Sequence, residues 1–258
     1  MSASPADLAM QANALLFAGF AVFLRIGAAM TLLPAFGEAT VPGRVRLGLA
    51  VAFTLVVMPA ASPALALPDS LQGLLLLILS ETGTGLAIGL AFRLTVTALS
   101  MAGVMIAQAT SLSQVFPSGG SEALPAASQL MVVSGLALAT LSGLHVQVSV
   151  AFIRSYDVIA PGSLPEASRL LDWVLGQAGG TMSVAFSLAA PFLAASLAYN
   201  LALGAINRAM PQLMVSLVGA PALSLAALAL MSVAVPAGLA HWIVAVQPVL
   251  EDPLGERP

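Results

Sequence analysis

The 258 residues are 59% hydrophobic and only 7% charged, with a mean hydropathy of +1.01, which leaves too little polar surface to coat a soluble globule and puts the chain in lipid. Eight cations, all of them arginine, against eleven acids give a net charge of -3 spread along the whole length, so there is no basic stripe for nucleic acid. Cysteine is absent, which excludes disulfides and thiolate metal sites and leaves His145 and His241 as the only imidazoles.

A bilayer crossing takes about 20 mostly apolar residues, and the chain offers six such stretches in turn. The first, 9–33, contains Arg25 and is closed by Pro34 and Gly37-Glu38; no basic segment precedes it, so it is expected to stay as a signal anchor. The second, 47–67, follows Arg44 and Arg46, is interrupted by Pro59 and Pro63, and closes at Pro68-Asp69. The third, 71–108, holds Glu81 and Arg93 and has nearly twice the length one crossing requires, so it either projects beyond the bilayer or breaks near Gly103. Gly85 and Gly89 on this segment have the spacing that lets helix backbones approach in lipid.

A breaker-rich loop follows, 110–125, with Phe116, Pro117, Ser118, Gly119 and Gly120. The fourth stretch is 126–153, and a polar connector from Arg154 to Asp172 includes a turn at Gly162. The fifth, 173–206, holds Pro191, and the sixth, 213–246, holds Pro221 and Pro236. Trp173 and Trp242 sit near helix ends, where aromatic belts place them. The expected fold is all-α: six long, Pro-interrupted apolar segments forming one membrane domain, 1–258. In a six-span arrangement Arg44, Arg46 and Arg208 fall on one side and Arg154, Arg169 and Arg257 on the other, so loop charges do not orient the chain.

Arg25, Glu81 and Arg93 lie inside apolar segments, where an unpaired charge costs about 2.5–3.5 kcal/mol on insertion scales. Two readings stand: an ion or proton path, or structural bridges, such as Arg25 with Glu81 and Arg93 with an acid of another subunit. A path usually shows acids at several depths, and only Glu81 sits deep, which favours the bridges. The two histidines stand alone on apolar helices, and no G-x-S-x-G, H-E-x-x-H or phosphate-binding glycine motif occurs, so the expectation is no enzyme, no metal and no cofactor.

The most specific string is Leu203-Gly204-Ala205-Ile206-Asn207-Arg208-Ala209-Met210-Pro211-Gln212-Leu213, followed by Gly219-Ala220-Pro221. With Arg25, Pro34 to Gly37, and Val41-Pro42-Gly43-Arg44-Val45-Arg46-Leu47-Gly48 upstream, it resembles the FliR family of type III secretion export-gate subunits. The likeness runs from about Phe17 to Pro236, and the intact I-N-R-x-x-P-Q-L favours the flagellar branch over the injectisome branch. Met214 and Ser224 depart from the family's frequent Asn and Lys, which weakens residue-level transfer there.

The resemblance implies a non-enzymatic subunit of the flagellar export gate in the bacterial inner membrane, within the basal body, multi-pass and built of helical hairpins. Its implied partners are FliP and FliQ in one hetero-oligomer, FlhA- and FlhB-type membrane proteins beside it, membrane lipid, and unfolded flagellar subunits as cargo. It also implies assembly contacts at Gly204, Asn207, Arg208, Pro211, Gln212, Gly219 and Pro221, and a pore-closing role for the 110–125 loop, with Phe116 as plug and Pro117, Gly119 and Gly120 giving it mobility. A physical reading of the Arg208 segment is a hinge in which the guanidinium caps one helix and Pro211 starts the next. The alternatives are an injectisome gate subunit and, more distantly, a six-helix secondary transporter, which would show an inverted repeat between halves.

Overall fold

A computed structural model describes residues 4–38, 41–61, 68, 70–110, 124–164, 166–209, 215–252 and 254. Among the described residues there are seven helices: α1 (Pro5–Met30), α2 (Gly43–Ala61), α3 (Leu71–Ala109), α4 (Ala126–Leu141), α5 (Leu144–Val158), α6 (Ala167–Ala209) and α7 (Val215–Glu251). Five are long and apolar enough to cross a membrane, and counting α4 and α5 as one broken span gives up to six.

Local chemistry places the helix ends. Helix α1 starts before the first apolar residue of its segment, because Ser4 accepts from the Asp7 amide while Asp7 accepts from the Ser4 amide, with Pro5 in the first turn. Hydropathy alone does not see such a capping box. At the other end the Thr31 hydroxyl donates to the Ala28 carbonyl and the Gly37 amide to that of Leu33. A Cβ at Gly37 would come 2.7 Å from the Thr31 carbonyl oxygen, so only glycine fits against the open end of the helix.

The expected fourth span, 126–153, is not one helix. It breaks at Ser142 and Gly143, where Gly143 takes φ 80° as the residue preceding α5. An apolar run without proline gives no warning of this, since the break rests on one left-handed glycine. Helix α3, in contrast, passes Gly103 unbroken for 39 residues, about 58 Å of rise.

The chain packs as two compact units, the first comprising residues 1–94, 143–177 and 247–258 and the second 95–142 and 178–246. In the first, Ala18, Ala21, Val22, Arg25, Ile26, Ala29 and Met30 form one buried face of α1. Gly85 and Gly89 turn α3 against that face: a Cβ on Gly85 would collide with the Arg25 carbonyl, and one on Gly89 would lie 2.7 Å from the Ala29 oxygen. Phe36, Phe53 and Phe152 continue this core in two edge-to-face contacts.

In the second unit Ile106, Ala107, Ala127, Ala189, Phe192, Ala227 and Met231 make a core of alternating large and small side chains. Gly103 lies against the Ser128 backbone, and the Ser128 hydroxyl donates 3.0 Å to the Ser100 carbonyl. Trp242 lies inside this unit beside Gly135 and is not presented outward as an interfacial belt would require. It is buried, and its indole N–H donates 2.9 Å to the Thr95 carbonyl, which satisfies its polar atom inside the protein.

Candidate functional site

The densest polar arrangement in the first unit is built around Arg25. Its side chain and that of Glu81 are both 0% exposed, and the two are joined by paired hydrogen bonds, Nε to Oε2 at 2.8 Å and an NH2 bond to Oε1 at 3.0 Å. The rest of the guanidinium is also engaged: NH1 donates 2.8 Å to the Ser155 hydroxyl and NH2 donates 3.2 Å to the Ile159 carbonyl. The Tyr156 ring lies 3.7 Å from the guanidinium carbon, and its hydroxyl donates 3.2 Å to Glu81.

Three helices therefore meet at one charge pair, with α1 giving the cation, α3 the anion, and the last turns of α5 the hydroxyls and a carbonyl. A buried ion pair holds in a low-dielectric interior only when its remaining hydrogen-bonding capacity is largely met, and here four of the five guanidinium N–H groups have partners while the Tyr156 ring covers the guanidinium carbon. Ser155 is no activated nucleophile: its hydroxyl donates to the Phe152 carbonyl and receives Arg25, leaving no base to take its proton. The arrangement is chemically a clamp.

Arg93 takes a partner within its own chain, contrary to the expected acid of another subunit. Its guanidinium lies 2.6 Å from Glu38, with both side chains partly exposed. Arg46 donates 3.0 Å to the Glu38 carbonyl, so this loop residue is held from two helices. The reason is register: α3 runs beside α1 with Gly89 at Ala29, which brings Arg93 level with the loop after α1.

Gly204, Asn207 and Arg208 are exposed on the last turns of α6. Arg208 stands inside the helix and not in a hinge beyond it, where its charge complements the negative end of the helix dipole. Pro211 and Gln212 lie outside the described residues, as do Phe116, Pro117, Gly119 and Gly120. Gly219 and Pro221 fall within α7. His145 and His241 are exposed.

Sequence reasoning missed Ser155, Tyr156 and Ile159, which it left in a polar connector. Their signal was the placement of Ser and Tyr one turn beyond Phe152 on an otherwise apolar helix, where a buried charge elsewhere needs partners.

Residues 16–248 match the family model described as bacterial export proteins, family 1. The chain is 32% identical to the flagellar biosynthetic protein FliR of Caulobacter vibrioides over 83% of its own length and 88% of that protein. It is 31% identical to the FliR of Pectobacterium carotovorum, with 77% of each chain covered, and 28% identical to that of Escherichia coli, over 83% of this chain and 82% of that one. A match across nearly the whole length, on a set of long apolar helices, establishes that this chain is a membrane protein belonging to bacterial export protein family 1, the family of the FliR flagellar biosynthetic proteins.

Proposed function

We propose that the chain works as a non-enzymatic subunit of the flagellar protein export gate, assembled with FliP and FliQ in the bacterial inner membrane at the base of the flagellum. One observation supports this beyond family membership: much of the apolar surface of the long helices is uncovered within the chain. Helix α6 has 43 residues, about 64 Å of rise against a hydrocarbon core of about 30 Å. Its Leu170, Leu171, Leu175, Phe186, Leu197 and Leu201 are all exposed. A helix twice as long as the bilayer is thick cannot hide such residues in lipid along its whole length, so protein neighbours are the natural cover.

In this reading the exposed Gly204, Asn207 and Arg208 turn of α6 meets a neighbouring subunit, FlhA- and FlhB-type proteins stand beside the gate, and unfolded flagellar subunits pass through it. The test is co-expression with FliP and FliQ, purification in mild detergent and native mass measurement. A hetero-oligomer containing all three is the expected result. A lone monomer or homodimer would sink the assembly and favour a six-helix transporter, to be pursued by ion-flux assays.

The loop holding Phe116 is the proposed seal, since a bulky ring flanked by Gly119 and Gly120 can block a narrow channel and swing aside. Replacing Phe116 by Ala is expected to raise small-ion leakage through the reconstituted gate. Unchanged conductance would remove Phe116 from that role.

A further inference from the structure

The outer face of α2 is uncovered and has a charge at one end only. Ala50, Thr54, Val57 and Ala61 turn inward, which leaves Leu47, Val51 and Leu55 as an exposed apolar stripe at helical spacing. Arg44 lies three residues before Leu47 on the same side and tops that stripe. From Arg44 to Leu55 the helix rises about 16 Å, roughly half of a bilayer's hydrocarbon core.

Arg44 differs from its neighbours in being uncommitted. Arg46 donates through its NH2 group to the Gly37 and Glu38 carbonyls, with its Nε buried, and Arg93 pairs with the Glu38 carboxylate. Arg44 is exposed and makes no hydrogen bond or ion pair among the described residues. It also sits in the first turn of α2, where the helix dipole disfavours a cation, so an anion beside it would relieve both charges.

This end of the first unit gathers Arg44, Arg46 and Arg93 against the single acid Glu38. The opposite end, where α1 starts and α5 leads into α6, carries Asp7 and an ion pair between Glu166 and Arg169. Apart from the buried Arg25, that unit sets Arg44, Arg46 and Arg93 at this end against Arg154, which donates to the Glu251 carbonyl, and Arg169 elsewhere, so Arg93 tips the count to three against two. An arginine-rich end favours the cytoplasmic side, whose leaflet surface is negatively charged.

We propose that α2 seats an anionic phospholipid of the cytoplasmic leaflet, with its phosphate at Arg44 and its acyl chains along Leu47, Val51 and Leu55. Charge complementarity at the head and an apolar stripe of one leaflet's depth select a lipid over a soluble anion. The reading does not depend on the export-gate assignment.

The full chain, purified in mild detergent, is titrated with phosphatidylglycerol and, separately, phosphatidylcholine, and retained lipid is counted by native mass measurement. Arg44→Gln is expected to weaken phosphatidylglycerol retention about fivefold, the effect of one surface cation, and Arg44→Lys to restore most of it. Millimolar inorganic phosphate should not displace the lipid. Equal retention by Arg44→Gln, equal retention of phosphatidylcholine, or displacement by phosphate alone would each overturn the proposal. So would a co-purified protein subunit whose binding excludes lipid and weakens on Arg44→Gln, since that would make the stripe a protein interface.

Discussion

Replacing Glu81 by Leu is expected to remove most of the folded chain from the membrane, a loss of about 3–5 kcal/mol. The substitution deletes both carboxylate bonds to Arg25 and the acceptor of the Tyr156 hydroxyl, and it leaves a guanidinium that is 0% exposed. Arginine keeps its charge inside a protein and cannot lose its proton to relieve the strain. Ser155 and the Ile159 carbonyl still accept from it, but neutral acceptors do not replace a counter-charge.

The double replacement Arg25→Met with Glu81→Leu should be milder than Glu81→Leu alone, because a well-packed apolar pair carries no buried charge. Chain level in membranes and resistance to added protease report the effect. Native levels of the Glu81→Leu chain would mean that the pair does not hold α1, α3 and α5 together. A folded Glu81→Leu chain unable to support motility would instead make the pair part of an ion path.

The apolar segments themselves were legible, because composition and hydropathy act over about 20 residues and average out local detail. What escaped them depends on single residues. The start of α1 is set by the Ser4 and Asp7 box, and the division of α4 from α5 by the left-handed Gly143, neither of which changes a hydropathy window. Trp242 looked interfacial because it lies near the end of an apolar run. Its burial follows from a partner 147 residues away in sequence, the Thr95 carbonyl, which no local pattern encodes.

The charges behaved likewise. That each buried charge needs a partner follows from the cost of leaving it alone, but the identity of the partner follows from helix register. Arg93 meets Glu38 only because α3 runs beside α1 in the register that Gly85 and Gly89 permit. The candidate gate loop falls outside the described residues, so its role rests on the resemblance and on composition.

That register gives the second large effect: Gly85→Ala is expected to destabilise the chain by about 1–3 kcal/mol, while Gly83→Ala is neutral or stabilising by up to about 1 kcal/mol. The two glycines are two residues apart on α3 and face opposite ways. Around Gly83 nothing lies within 4 Å, so an added methyl meets open space and only the helix propensity changes. At Gly85 the methyl would meet the Arg25 carbonyl group and the Ala28 side chain, and a backbone carbonyl inside a helix cannot rotate away as a flexible side chain can. The remaining relief is for α1 to move off α3, which draws the Arg25 backbone away from Glu81 and lengthens the paired bonds of 2.8 and 3.0 Å. Thermal unfolding of the detergent-purified chain should therefore separate the two variants in opposite directions. Equal shifts would mean that the close approach of α1 and α3 is not what Gly85 serves, and the charge pair would then have to set the helix spacing by itself.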